Sequence, residues 1–117
     1  MRLSIFAAAL LLATPALAQQ PAGNADNGKK LFEKVGCWQC HGLVGQGSLL
    51  SGPRISRTAL PLDAFTQQLR SPSNDMPPYE AAVLPEAGVA DIYAYIKAMP
   101  APPDPKSLPL LTGMGAR

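Results

Sequence analysis

Both cysteines and the single histidine of this 117-residue chain fall within five positions, Cys37-Trp38-Gln39-Cys40-His41. Three chemistries use such a grouping: a redox-active disulfide, half of a metal site, and the attachment of a c-type haem. A thioredoxin-like disulfide belongs in a strand–helix–strand setting, which the surrounding sequence lacks. A structural zinc takes four cysteine or histidine ligands, and the chain offers three, crowded on one turn. A plain disulfide between Cys37 and Cys40 closes too small a loop to contribute much stability. Haem attachment uses all three residues at once. Two thiols three positions apart at the end of a helix each add to a vinyl group on one porphyrin edge, and the adjacent imidazole is brought to the iron.

An iron held by His41 has a further axial position, and its occupant decides the chemistry. A second histidine is absent, so the remaining common choice is methionine: Met76, Met99 or Met114. Met99 completes the apolar stripe of a helix and reads as a core filler. Met114 stands in the C-terminal tail. Met76 lies in "SPSNDMPPYE", a loop stiffened by Pro77 and Pro78, and this context together with elimination favours it. With His41 and Met76 both bound, no position is vacant for oxygen, peroxide or substrate, and the iron exchanges one electron with little bond rearrangement. An uncharged thioether also favours the ferrous state. The expectation is a one-electron carrier rather than an enzyme. The alternative is a haem enzyme or gas-binding cytochrome with an open axial position. A peroxidase of that kind would use a distal acid–base histidine, which this sequence does not offer.

Few segments alternate with strand periodicity, and the elements that must position these residues read as helices. Asn24 is a candidate N-cap, followed by Gly28, Leu31, Phe32 and Val35 on one stripe ending at Gly36. A second helix is expected in "LPLDAFTQQLRSP", where Leu62, Phe65 and Leu69 share a face and Pro72 limits extension. A third runs from about Pro85 to Met99, with Gly88, Ile92, Tyr95, Ile96 and Met99 on one side and Pro100 as the stop. The segments 42–61 and 71–84 are long, rich in turn residues and without a period; connections of this kind need a functional reason or a bound group to wrap. The fold class is therefore all-α, with three main helices and long loops around one covalently attached haem.

At the N-terminus, Arg2, the apolar run from Leu3 to Ala13 and the Ala16-Leu17-Ala18 site read as a secretory signal peptide cleaved after Ala18. The apolar run is too short to span a bilayer, and no later stretch is apolar enough, so the mature chain is expected to be periplasmic without a membrane span. Residues 19–99 form the domain. Residues 100–117 form a Pro-rich tail, read as an extended segment that is either a flexible terminus or a semi-rigid strap. Cleavage removes one of ten basic residues, Arg2, and none of the eight acidic ones, so the formal charge falls from +2 to +1. That balance excludes nucleic acid as a partner.

The order of these features resembles a class I cytochrome c of the small bacterial type, over residues 24–99. Gly28 and Phe32 match the glycine and aromatic of the first family helix, and Tyr95 matches the aromatic of the last helix that packs across them. Cys37, Cys40 and His41 match the attachment motif. Gly52-Pro53 follows at the family spacing, which implies that the Pro53 carbonyl accepts from the non-ligating nitrogen of His41. Ile55 matches an apolar residue lining the haem pocket, and "FTQQLRSPSNDMPPY" resembles the helix and loop that deliver the axial methionine. The loop after Pro53 is shorter than in longer eukaryotic forms, and one extra residue stands between Phe32 and Cys37. Arg54, Arg57 and Arg70 all stay open as propionate contacts. The small size and Pro-rich ending resemble haem subunits of periplasmic dehydrogenases. Partners are then redox proteins: such a dehydrogenase, a terminal oxidase or another cytochrome.

Trp38, the only tryptophan, has two readings. It either folds over the haem edge as local packing or serves as an apolar contact for a partner. With both haem propionates ionised the mature charge becomes about −1, which leaves no large basic ring for steering.

Overall fold

A computed structural model describes residues 22–112. The expected leader, its cleavage after Ala18 and Met114 lie outside the described residues. Among the described residues five α-helices follow one another in chain order: α1 (Ala25–Lys34), α2 (Cys37–His41), α3 (Leu62–Arg70), α4 (Glu86–Ala98) and α5 (Pro109–Thr112). Among the described residues the extended pairing amounts to a single bridge between Ser48 and Gly52, in keeping with the all-α expectation. No helix among them is long and apolar enough to cross a membrane.

The three long helices begin and end where local chemistry predicts. Asn24 caps α1, its side chain accepting from the Asn27 amide at 3.0 Å. Pro61 and Pro85 stand at the N-caps of α3 and α4, where a missing amide hydrogen costs nothing. α3 stops at Arg70, two residues before Pro72. Each helix buries one face: Gly28 and Phe32 from α1, Phe65 and Leu69 from α3, and Val89, Ile92 and Ile96 from α4. With Leu84 and Met99 these make one core.

The crossing of α1 and α4 organises that core. A Cβ on Gly28 would overlap the Asp91 carbonyl oxygen and lie 2.9 Å from the Tyr95 Cβ, so only glycine permits this approach. Phe32 and Tyr95 meet edge to face beside it, ring centroids 5.5 Å apart. The Asp91 carboxylate then reaches across the crossing, accepting at 2.7 Å from both the Asn24 amide and the Asn27 side chain. Met99 is buried at 3% exposure, its sulfur against Gly45.

The tail departs from its expected extended form. Asp104 accepts from the Lys106 amide at 2.9 Å and, with Pro105 at the first position, starts a 3-10 turn over Pro105–Ser107 that leads into α5.

Candidate functional site

α1 and α2 are separated by two residues, and α2 is only one turn and a half long, enough to carry Cys37, Cys40 and His41. Its sequence puts Cys37 and His41 inward, both at 9% exposure, and leaves Cys40 exposed. Burial pushes the Cys37 thiol above its ordinary value, with the hydroxyl of Tyr79 and a backbone amide pulling weakly the other way. The two thiols are therefore unequal before any reaction at them.

His41 is oriented by the chain that follows it. Its Nδ1 lies 2.8 Å from the Pro53 carbonyl oxygen. A carbonyl only accepts, so the proton sits on Nδ1 and the Nε2 lone pair is left free. Pro53 is held there by a dense set of backbone bonds. The Gly47 amide donates to the His41 carbonyl at 2.8 Å, Ser48 to Gly52 at 2.8 Å, and Ile55 and Ser56 to the Gly45 carbonyl at 2.9 and 3.0 Å. Ser51 adds a side-chain bond to the Cys40 carbonyl at 2.8 Å.

A cleft of about 960 Å³ opens at these residues, a size suited to a cofactor. Cys37, Cys40, His41, Pro53, Ile55 and Met76 all line it, so the six residues singled out in the sequence come together although they span forty positions of chain. Phe65 and Leu69 from α3 and Ile92 and Ile96 from α4 supply apolar wall. Met76 is half-buried, and its sulfur accepts a long contact, 3.9 Å, from the Gln68 amide nitrogen. Met99 is not among the lining residues.

Of the three arginines left open as propionate contacts, Arg54 alone lines the cleft, its Nε donating to the Ser56 hydroxyl at 2.9 Å. Arg70 points elsewhere. Its guanidinium donates to the carbonyls of Tyr79 and Leu84 and to Glu86, away from the cleft, because those acceptors lie within reach of the last turn of α3. Trp38 combines its two readings: it lines the cleft, stays 41% exposed, and spends its indole N–H on the Glu33 carbonyl at 3.2 Å. Sequence reasoning missed Tyr79. Its hydroxyl donates to the Val35 carbonyl at 3.1 Å beside Cys37, and the only hint was its place just after the two prolines.

Two thiols, a buried imidazole with one nitrogen already engaged, a thioether and apolar walls form a donor set and cavity that fit a covalently held haem. Residues 23–96 match the family described as cytochrome C oxidase, cbb3-type, subunit III. The chain belongs to this family of c-type cytochromes. It is also similar to cytochrome c-555 of Methylococcus capsulatus (strain Bath), 36% identical over 95 residues that cover 77% of this chain and 76% of the relative. No solved structure matches the chain. As a small c-type cytochrome it has the all-α cytochrome c fold, carries covalently bound haem c and exchanges electrons with redox partner proteins.

Proposed function

We propose that the chain is a periplasmic one-electron carrier whose haem c is joined through Cys37 and Cys40 and ligated by His41 and Met76. The observation that carries this reading is the convergence of the two thiols, the imidazole and the Met76 thioether on one cleft, with His41 Nδ1 already bonded to Pro53. When bound, the haem supplies a one-electron change at its iron. The Pro53 carbonyl fixes the ring orientation of His41 and makes its Nε2 a better donor. Ile55, Phe65 and Leu69 exclude water, which penalises the more highly charged ferric state and raises the potential. Arg54 offers a positive charge at the cleft for a propionate. With His41 and Met76 both holding the group, substrate chemistry would have no foothold at it, which supports a carrier rather than an enzyme.

Export rests on the leader over residues 1–18 with cleavage after Ala18, followed by a domain over 19–99 and a tail over 100–117. The carrier works either free or as the haem subunit of a larger oxidoreductase. Its candidate partners are a periplasmic dehydrogenase, a terminal oxidase and another cytochrome; the family's description as an oxidase subunit supports the oxidase.

The ferric spectrum tests the reading. A methionine-to-iron charge-transfer band is expected in the native protein. Met76→Ala should abolish it, lower the reduction potential and admit carbon monoxide, while Met99→Ala should keep it. A high-spin native spectrum would return the enzyme or gas-binding reading.

A further inference from the structure

Apart from long contacts from the Gln68 side chain to Ser73 and Met76, the stretch that carries Met76 is held in an indirect way. Residues 72–78 make no backbone hydrogen bond to α3 or α4 among the described residues, and Asn74 adopts φ +59°, a turn conformation that gives no ladder to either side. Three residues after Met76 the chain is fixed firmly. All three polar groups of Tyr79 are engaged: its amide donates to the Leu69 carbonyl at 2.8 Å, its hydroxyl to Val35 at 3.1 Å, and its carbonyl accepts from Arg70 Nη1 at 2.7 Å. Arg70 Nη2 goes on to the carbonyl of Leu84 at 2.9 Å, a fully buried residue, and to the Glu86 carboxylate at 2.6 Å. One planar guanidinium thus joins the end of α3, the middle of the loop, its end and the start of α4. Between this anchor and Met76 stand Pro77 and Pro78, whose rings fix φ and make the link stiff.

We infer that Arg70 is a positioning residue for the axial methionine: by clasping Tyr79 and Leu84 it sets, through the rigid Pro77-Pro78 link, how firmly the Met76 thioether is held in the cleft. This rests on the proposed ligation by Met76. The clasp needs the fork of arginine, since two divergent carbonyls must be met from one head group; a lysine ammonium reaching from the same position satisfies one of them. Glu86 is a minor member, because its side chain is 69% exposed and a solvated pair contributes little.

The test uses the intact, haem-loaded protein. Imidazole is added to the ferric form and displacement of the methionine is followed through loss of its charge-transfer band. In Arg70→Met and Arg70→Lys the displacement should be about tenfold faster or more, the factor expected from losing a charge-assisted hydrogen bond, while Glu86→Gln should behave as wild type. Amide exchange gives a second readout: Tyr79 should lose protection in both Arg70 variants while the amides of α1 and α4 keep theirs. Should Arg70→Met yield no folded protein, Arg70→Lys carries the test. Unchanged displacement in Arg70→Lys, or an equal loss of protection throughout α1 and α4, would overturn the inference and leave Arg70 a general stabiliser. A charge-transfer band that survives Met76→Ala would instead refute the ligand assignment, and the exchange of Tyr79 would then judge the clasp alone.

Discussion

The two long connections that reach the cleft are secured by different means. After His41, residues 42–61 are held mainly by their own backbone: Gly47 to His41, Ser48 to Gly52, Ile55 and Ser56 to Gly45, and Arg57 to the Ile96 carbonyl at 2.9 Å. After α3, residues 71–85 are held by side chains, above all Arg70 and Tyr79. Backbone bonds tolerate most side-chain changes but demand particular φ values, whereas a side-chain clasp is lost with one residue. The histidine side should therefore be vulnerable at its glycines, and the methionine side at its arginine and tyrosine.

Substitutions rank this contrast. The largest effect is expected at Gly47, where φ is +70° and a Cβ would collide with the Arg54 amide nitrogen. Strain and overpacking together should make Gly47→Val cost about 2–6 kcal/mol in denaturant unfolding. Near-wild-type stability would break the view that backbone geometry holds the histidine side. Met99→Ala comes next, at about 2–5 kcal/mol for a buried side chain. Because Met99 packs on Gly45 and not in the cleft, the loss should appear in the melting temperature with the methionine band intact.

Tyr79→Phe removes one hydrogen bond and should cost about 0.5–1.5 kcal/mol near neutral pH. It has a separate signature in alkali. Burial first, and the Cys37 sulfur second, push the Tyr79 phenol from 10.0 up to about 12. A pKa raised in the folded state gives stability that is present below the unfolded value and lost as pH rises from about 10 through about 12. With haem joined at Cys37 as proposed, its sulfur would be a thioether without charge, so the burial part would remain and the sign would be unchanged. Stability–pH curves should show this alkaline loss in wild type and a smaller one in Tyr79→Phe. The smallest effect is expected for Ser51→Ala, below about 1 kcal/mol, since its hydroxyl bonds to Ser48 and Cys40 are partly replaced by water.

The same contrast explains what the sequence revealed. Helix faces were legible because burial imposes a period on Phe32, Phe65, Leu69, Ile92 and Ile96, and the cleft residues were legible because thiol, imidazole and thioether chemistry is rare enough to stand out. The loops were not. Residues 42–61 carry no side-chain period, since backbone amides and carbonyls, which every residue has, do the holding. Arg70 stayed open for a related reason: a guanidinium near a helix end suits a propionate, a carboxylate or a carbonyl equally well, and only the position of Tyr79 and Leu84 decides. The turn begun by Asp104 was hidden among prolines that suggest an extended chain.

One contact described above bears on the order of assembly. Asp91 joins α4 to Asn24 and Asn27 across 67 and 64 positions, and Gly28 accepts α4 at the same crossing. Contacts so remote in sequence form only after a long loop has closed, so the two ends of the domain must meet before Phe32 is covered. The attachment motif lies between those ends. Until α4 arrives, Phe32 has no Tyr95 ring to meet, and closure of the last helix is what completes that edge-to-face pair. A chain cut before residue 85 should therefore leave the Gly28–Phe32 face of α1 open to solvent, with its amides losing the exchange protection they have in the full chain.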